Sequence, residues 1–450
     1  MKVHVAPMLI GMLLTASATS IAGPKDAAEK SVHGTYIDVP ELLNERNGAP
    51  RHARLGRSVI SVTSSSEPAA IDEAAAAVAP ATVTMRILPV WSFTTLAPRD
   101  GQHHQGTMVG SSPTAAPATT SVPTQIVPLI LRTHTIGTYV DPISYDISTV
   151  AGQQTTNPTV ADRCLKAPNN IPATVMSQSP VFAGANFNFG GTSFGKTQYV
   201  DAFTRANFYR LLGAGQANYH VLLQPVTMLP SIVIDVPANE GLAITDPAFL
   251  SIFGLSNFCG TYQLIDINWL DTYINGTVLP ALVAHGVNPG TLPVFMLHNA
   301  ALLSGVTNFS GCCVLGYHAT GGNPVPTQTY SVVGFDTSGF WTALNNDSDS
   351  IEDSAVLSHE VAEWVNDPYT VNPAPPWGNV GQVQGCQANL EVGDPLSGTY
   401  MPPVLMPNGY TYHLQELAFF SWFFGGASYG VHGWYSNNGT FATDAGPPCP

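Results

Sequence analysis

The 450-residue sequence predicts an α+β fold in which a mixed β-sheet packs against a helix that carries histidine and glutamate side chains. Strand-like runs of β-branched and aromatic residues alternate irregularly with segments of helical periodicity. A hydrophobic content of 44% is sufficient for a sizeable core. The residues before position 124 lack this periodicity and predict a low-complexity N-terminal segment.

The first 22 residues have the pattern of a secretory signal peptide. A basic start is followed by an apolar run at 5–14 and by a small-residue cleavage pattern at 20–22. The apolar run is too short to span a bilayer, and no later segment reaches about 18 uninterrupted apolar residues. We therefore expect a secreted protein, extracellular or periplasmic, with no membrane partner.

Residues 23–123 are expected to form a leader or pro-segment and a linker. Residues 23 to about 80 mix charges, alanine, serine and proline, and only 81–91 has the composition of a strand. Residues 100–123 are polar and rich in Gly, Ser, Thr and Pro, which is typical of a linker. The predicted folded domain therefore spans 124–450.

Within that domain, composition and spacing predict strands and helices in irregular order. Strands are predicted at Ile126–Thr135, His220–Gln224, Ser231–Val236, Leu292–Leu297, Cys312–Tyr317 and Tyr330–Phe335, with a hairpin at Val181–Phe194. Helices are predicted at Tyr199–Leu212, Tyr262–His285, Ser350–Val365 and Leu414–Phe424. Pro280 is expected to kink or split the second of these helices.

Charged residues make up only 10% of the chain and are unevenly distributed. No Lys or Arg follows Arg210, whereas 17 acidic residues do. Such a surface excludes nucleic acid and anionic membranes as partners. Two explanations stay open: function at low pH, where carboxylates are partly protonated, or protection from proteases that cut at basic residues.

Six cysteines in an exported chain favour disulfide bonds. They are Cys164, Cys259, Cys312, Cys313, Cys386 and Cys449. The adjacent pair is expected to bond to distant partners rather than to each other. A thiolate metal site is disfavoured because the sequence has no C-x-x-C spacing.

The predicted helix at 350–365 contains the pattern H-E-x-x-E. His359 and Glu363 are four residues apart, so they project from one face on successive turns. A tetrahedral metal site can be built with two ligands from successive turns of one helix. Glu360 stands where the general base of an H-E-x-x-H metallopeptidase stands.

A third ligand must come from elsewhere, and the segment Asn389–Pro395 is the best candidate. Glu391 follows Glu363 by 28 residues, and Asp394 is placed to accept the second ring N–H of His359. This pattern resembles the thermolysin-like zincins, whose third-ligand glutamate is followed by such an aspartate. The resemblance implies a zincin-like fold with His359, Glu363 and Glu391 as metal ligands.

The same resemblance implies hydrolysis of a peptide or protein substrate. The ion polarises the scissile carbonyl and lowers the pKa of bound water, and Glu360 takes the water proton as general base. In those enzymes a histidine and a tyrosine stabilise the oxyanion. The nearest equivalent here is Tyr410–His413, and His413 is predicted for this catalytic role.

The zincin pattern is altered here because glutamate replaces the second histidine. One imidazole and two carboxylates form a harder, more negative ligand set. Zinc stays the expected ion, with manganese, iron or calcium as alternatives. A zinc ion with two carboxylates has no net charge and would acidify its water less, so hydrolysis would be slower or absent.

A second resemblance covers about residues 290–395. The segment Cys312–His318, followed by a strand, SHEVAEWVNDP and LEVGDP, resembles the EXORDIUM or phosphate-induced family of secreted plant proteins. The segments TQYVDAFTRANF and TYHLQELAFFSWF are similar to uncharacterised secreted bacterial proteins. These resemblances imply export without implying an activity, and they make His318 a spare ligand candidate.

Three functions therefore stay open. The first is a secreted metal-dependent peptidase. The second is a catalytically inactive zincin-like protein that binds extracellular or cell-wall ligands. The third is an acid-acting hydrolase that uses Glu360 with Glu363 or Glu391 and no metal. The sequence leaves substrate, disulfide pairing and oligomeric state undetermined.

Overall fold

A single long strand, Ala118–Asp141, forms the centre of an 11-stranded mixed β-sheet. It is rich in threonine, valine and isoleucine, whose branched side chains favour extended backbone. Pro123 lies where the register with a neighbouring strand shifts, because proline has no N–H for a ladder hydrogen bond. The computed structural model describes residues 31–32, 87–115, 117–141, 146–244, 258–304, 312–321, 327–340, 353–378, 383–384 and 386–446.

The strands and α-helices of these residues are numbered in chain order. The strands are β1 (Ser31–Val32), β2 (Val90–Leu96), β3 (His103–Val109), β4 (Ala118–Asp141), β5 (Asp146–Thr156), β6 (Ala185–Phe189), β7 (Thr192–Thr197), β8 (Tyr219–Met228), β9 (Ile232–Asp235), β10 (Gly241–Ile244), β11 (Tyr262–Asp266), β12 (Leu292–His298), β13 (Ala300–Leu303), β14 (Cys312–Val314), β15 (Gly316–Gly321), β16 (Gln328–Phe335), β17 (Pro373–Gly378), β18 (Val383–Gln384), β19 (Cys386–Asn389), β20 (Val404–Leu405) and β21 (Thr411–Tyr412). The helices are α1 (Pro172–Ser177), α2 (Tyr199–Asn207), α3 (Tyr209–Leu212), α4 (Ile267–Tyr273), α5 (Leu279–Leu282), α6 (Ala355–Asn366) and α7 (Phe420–Phe424).

The central strand β4 has parallel neighbours on both sides. It pairs in parallel with β8, β9, β10 and β12, and antiparallel with β5. Beyond β12 the sheet continues through parallel β16 to antiparallel β15. On the other side it continues from β10 through β11 and β13 to β14. The mixed sheet predicted for this chain is therefore present.

Each face of the sheet carries its own hydrophobic core. One core is covered by α4 and α5, and the other by α2, α6 and α7. Successive side chains of a strand point to opposite faces, so Val332 of β16 enters the first core and Val333 the second. The same alternation on β15 turns Tyr317 toward α4 and His318 toward α6.

Helix α6 is enclosed on every side. All 12 of its residues are buried, between β15 and β16 on one side and β3 and α2 on others. Trp364 Nε1 donates to Thr329 Oγ1 on β16 at 2.9 Å, which ties the helix to the sheet. The polar residues of α6 therefore lie in the protein interior, where a polar group without a partner is costly.

The β2–β3 hairpin lies over α6 and the loop that follows it. Phe93 packs edge-on against Phe420 with ring centroids 5.0 Å apart. Asn372 Oδ1 accepts from the Thr107 N–H, and Asn372 Nδ2 donates to Thr107 O, each at 2.8 Å. The segment 100–123, expected to be a linker, thus contains a strand of this hairpin and the start of β4.

Most predicted strands are confirmed with shifted ends, and the predicted hairpin is β6–β7. The helix predicted at Tyr262–His285 is wrong at its start, because β11 occupies its first residues. Helix α4 begins after Asp266, whose side chain accepts from the Trp269 N–H at 2.9 Å. A π-helical turn, Ile274–Val278, stands before Pro280 where a kink was expected.

Two other helix predictions need correction. The helix predicted at Leu414–Phe424 is reduced to α7, because the backbone of 414–418 bonds to distant segments instead of to itself. For example, Glu416 N–H donates to Thr399 O at 2.8 Å. Helix α6 begins at Ala355, and residues 350–352 of the predicted helix lie outside the described residues.

A disulfide bond joins Cys164 to Cys259, which are 95 residues apart. Cys313 is also disulfide-bonded. The pairing of the remaining cysteines lies outside the described side chains. The disulfide prediction is therefore confirmed for one pair, whose two partners connect the segment after β5 to the segment before β11.

Candidate metal centre

Two glycines allow neighbouring segments to approach the polar side chains of α6 closely. A Cβ on Gly316 of β15 would lie 2.8 Å from Glu360 Oε1. A Cβ on Gly393 would lie 2.5 Å from His359 Nδ1. A larger residue at either position would force these side chains to move. The polar face of α6 therefore lies directly between β15 and the 391–396 segment.

Histidine and carboxylate atoms converge here in two groups that share Glu363. The first group is His359, Glu363 and Asp394, and the second is His318, Glu360 and Glu363. The ligand atoms within each group lie within 4.8 Å of one another. Ligands bound about 2 Å from one ion lie about 3–4 Å apart, so both groups have the spacing of a metal site.

In the first group, Gln415 orients the imidazole of His359. Gln415 Nε2 donates to Gly393 O at 2.6 Å, so its Oε1 accepts from the Nδ1–H of His359 at 3.0 Å. The other ring nitrogen, Nε2, lies 3.1 Å from Glu363 Oε2 and 3.5 Å from Asp394 Oδ1. A proton or a metal ion must lie between this nitrogen and the carboxylates, because its lone pair would otherwise face negative oxygens.

In the second group, the backbone carbonyl of Asp367 orients His318. A carbonyl only accepts, so His318 donates through Nε2–H at 3.1 Å. Its Nδ1 lies 3.6 Å from Glu360 Oε2 and 3.7 Å from Glu363 Oε2. Burial lowers the pKa of His318 to about 3 and outweighs the Asp367 carbonyl, which raises it. The imidazole is therefore neutral over most of the pH range.

The residue that stands third in the first group differs from the one expected as third ligand. Asp394, rather than Glu391, joins His359 and Glu363 in the first group. Glu391 Oε2 instead lies 3.8 Å from His318 Nε2. The cause is local: the N–H groups of Gly393 and Asp394 both donate to Glu363 Oε1, at 3.0 and 3.2 Å, which brings the Asp394 side chain to the metal-facing side of the imidazole.

The role expected for Asp394 is taken by Gln415, which sequence reasoning missed. Gln415 accepts the second ring N–H of His359, and its own backbone N–H donates to Ser358 Oγ at 2.9 Å. A second missed residue is Gln387, which donates to Asp394 Oδ2 at 2.8 Å. Both are polar residues with exposures of 3% or less. The sequence offered no local signal for either residue, because Gln415 is followed by Glu416 and Gln387 by Ala388 and Asn389.

The predicted catalytic residue His413 contacts a different carboxylate. Its Nδ1 lies 2.8 Å from Asp353 Oδ2, and its backbone N–H donates to Asp353 Oδ1 at 3.0 Å. Tyr410 also donates to Asp353, at 3.3 Å. Asp353 stands just before α6, so these contacts anchor the start of the helix. The catalytic role of His413 stays a prediction.

The charge of the site matches a bound cation. The two histidines and the four carboxylates of Glu360, Glu363, Glu391 and Asp394 are each 1% exposed or less. The segments that carry them follow Arg210, after which the sequence has no Lys or Arg. Burying so many carboxylates costs several kcal/mol for each charge unless cations balance them. The donor set therefore fits a divalent metal ion.

Comparisons with known proteins add no family to this picture. No protein-family model matches the chain. No curated protein and no solved structure matches it either. The zincin-like assignment therefore stays a prediction. In the described part of the chain, no helix has both the length and the apolar character needed to cross a membrane.

Proposed function

We propose that this protein is a metal-dependent peptidase whose divalent ion is held by His359, Glu363 and Asp394. One observation carries the proposal: His359 Nε2 lies 3.1 and 3.5 Å from carboxylate oxygens of the other two residues. Its tautomer is fixed by Gln415 from the far side of the ring. Zinc is the first expectation, and the carboxylate-rich set also suits manganese, iron or calcium.

Glu360 is the proposed general base. Its Oε1 lies 3.9 Å from His359 Nε2, next to the position of the ion. A bound divalent ion lowers the pKa of its water, and a carboxylate within hydrogen-bond reach then takes the proton. Gly316 supports this role because the missing side chain leaves room for the Glu360 carboxylate.

The burial of the donors favours a second candidate, a catalytically inactive metal-binding protein of the extracellular space or cell wall. His359 and Glu360 are each 1% exposed. A peptide must reach the metal-bound water, so a peptidase needs an opening movement before it binds substrate. An enclosed ion without such a movement is a structural one, whose removal would unfold the protein.

Metal analysis and Glu360→Gln separate these candidates. The peptidase retains the ion at His359 in this variant and loses cleavage of denatured protein at every pH from about 3 to 8. Glu416→Gln is the matched control, because Glu416 is also buried but accepts from Ser436 and Thr440. This control should keep both metal and activity.

Other outcomes decide against the peptidase. Bound metal without any cleavage by the wild type would leave the inactive metal protein. Cleavage by a wild-type protein that contains no metal would instead favour the carboxylate-pair hydrolase, with Glu360 and Glu363 as acid and base.

We also infer that the chain is exported. The Cys164–Cys259 disulfide supports an oxidising compartment. The predicted signal peptide at 1–22 supplies the route. Sequencing the N-terminus of protein recovered from the medium or periplasm tests this inference, with a new N-terminus at residue 23 as the expected result.

A further inference from the structure

A second histidine repeats the arrangement of the first on the other side of Glu363. His318 Nδ1 lies 3.6 Å from Glu360 Oε2 and 3.7 Å from Glu363 Oε2. All three side chains are 1% exposed or less. The ion proposed at His359 uses neither His318 nor Glu360 as a ligand, and His318 has no role in the chemistry described so far.

The orientation of His318 points its lone pair into this group. Its Nε2–H donates to the Asp367 carbonyl at 3.1 Å, which leaves Nδ1 as the acceptor nitrogen. Nδ1 faces two carboxylates, just as Nε2 of His359 does. In both imidazoles the far ring nitrogen donates a hydrogen bond, so the near nitrogen is available as a ligand. A cation between each near nitrogen and the carboxylate oxygens that face it would bind to both.

One oxygen of Glu363 lies between the two imidazoles. Its Oε1 is held by the N–H groups of Gly393 and Asp394, at 3.0 and 3.2 Å. This leaves Oε2 at 3.1 Å from His359 Nε2 and 3.7 Å from His318 Nδ1. A carboxylate in this position can bridge two metal ions.

The number of buried carboxyl groups also favours more than one divalent ion. The four buried carboxyl groups carry four negative charges when ionised, and one divalent ion would balance only two of them. No Lys or Arg follows Arg210 in the sequence to balance the remainder. Two divalent ions bring the cluster to neutrality, which greatly reduces the cost of burying it.

We propose that the site is a dinuclear centre of two divalent first-row metal ions bridged by Glu363. His359 and Asp394 complete the first ion's protein ligands, and His318 and Glu360 complete those of the second. This inference deepens the proposed function and rests on it for the first ion. The carboxylate-rich donor set suits manganese or iron as well as zinc.

The second ion is compatible with the base role of Glu360. Its Oε2 faces His318 at 3.6 Å, and its Oε1 faces His359 at 3.9 Å. The carboxylate can bind the second ion through Oε2 and accept a proton from water on the first ion through Oε1. In two-metal hydrolytic sites, ions about 3.5–4 Å apart stabilise both the attacking and the leaving oxygen.

Manganese titration of the full mature chain tests the second ion. The purified protein is stripped with chelator, reloaded with Mn²⁺, and measured by native mass spectrometry and electron paramagnetic resonance. We expect two ions per chain with an exchange-coupled spectrum. His318→Gln should reduce this to one ion with the six-line spectrum of isolated Mn²⁺. His298→Gln is the matched control, a buried histidine bonded to Asp162 and Thr337, and should keep two.

Each outcome decides between the two proposals. One ion per chain in both the wild type and His318→Gln overturns the dinuclear centre and leaves the proposed function standing. Two ions without exchange coupling, unchanged by His318→Gln, also overturn it, because the second ion then binds elsewhere. No bound ion in the wild type overturns the first site and the proposed function with it. The wild-type measurement decides even if the variant does not fold.

Discussion

In His359 and His318, the acceptor that hydrogen-bonds one ring nitrogen decides which other nitrogen could bind a metal ion. An imidazole has two nitrogens, and the one that donates a hydrogen bond leaves the other to bind metal. Gln415 fixes this choice for His359, and the Asp367 carbonyl fixes it for His318. Which nitrogen of each histidine is available for a metal ion therefore depends on Gln415 and Asp367, which are not among the proposed ligands.

Gln415→Leu should weaken metal binding without removing a ligand. The variant loses the acceptor for His359 Nδ1–H and the donor to Gly393 O, so the imidazole is no longer held in one tautomer and orientation. We expect the metal affinity to fall about 10–100-fold. Competition against a fluorescent chelator measures this change.

The control is Gln263→Leu, a fully buried glutamine of β11 that donates to Leu131 O. It should cost stability and leave metal affinity unchanged. Equal affinity losses in the two variants would mean that Gln415 acts through folding alone.

At the scale of secondary structure, helix α6 is buried along its whole length by neighbouring strands and helices. Its polar residues are held apart from water by β15, β16, α2 and the β2–β3 hairpin. Asn372 connects the hairpin to α6. Besides its two hydrogen bonds with Thr107 of the hairpin, it donates to Asn366 O at the C-terminal end of α6, at 2.7 Å. The hairpin is thus part of the shell around the candidate metal centre.

Asn372→Ala should loosen this shell. The change leaves the N–H and carbonyl of Thr107 and the carbonyl of Asn366 without their partner in the protein interior. We expect a loss of about 1–3 kcal/mol in the free energy of unfolding, measured by urea denaturation. Asn239→Ala, at an exposed position, should change it by less than about 0.5 kcal/mol. A similar small change in both variants would show that the hairpin does not stabilise the fold.

At the scale of the whole molecule, basic residues are few, and many buried acids are stabilised by histidine and neutral donors instead. Asp162 is an example of an acid stabilised in this way. It lies between the segment that carries Cys164 and the ends of β12 and β16. Burial raises its pKa, but hydrogen bonds from His298, Thr337 and the Cys164 N–H outweigh burial and bring it to about 2. This carboxylate stays ionised in acid, which is consistent with function at low pH.

Asp162→Asn should therefore destabilise the protein in a pH-dependent manner. A carboxyl group whose pKa is lowered on folding stabilises the protein above its unfolded pKa of 3.8, and this contribution is lost as pH falls through about 2. We expect a cost of about 1–2 kcal/mol at pH 7, allowing for solvent screening, that shrinks below pH 3.8.

Urea denaturation of the wild type and the variant between about pH 2 and 7 measures this dependence. Asp235→Asn, at an exposed ion pair with Arg132, should show little change at any pH. A cost for Asp162→Asn that persists undiminished at pH 2 would contradict the assignment.

The strands could be predicted from sequence because their signal is local. β4, β12 and β16 are rich in β-branched and apolar residues, as buried strands of a parallel sheet are. The helices were harder to predict because tertiary hydrogen bonds compete with helical ones. Residues 414–418 have helical spacing, yet their backbone bonds to Thr399, Val392 and other distant partners. The β2–β3 hairpin was missed because β3 lies in the segment 100–123, whose polar residues have the composition of a linker.

The sequence by itself determined the sheet, the motif helix and the pairing of His359 with Glu363, because a spacing of four residues fixes their shared face on any helix. Only the tertiary structure decided the rest of the site. His318, Asp394 and Gln415 come from separate segments, and their positions depend on strand register and on the close approaches at Gly316 and Gly393. Distances of this kind arise from packing across the whole chain, which local spacing does not encode.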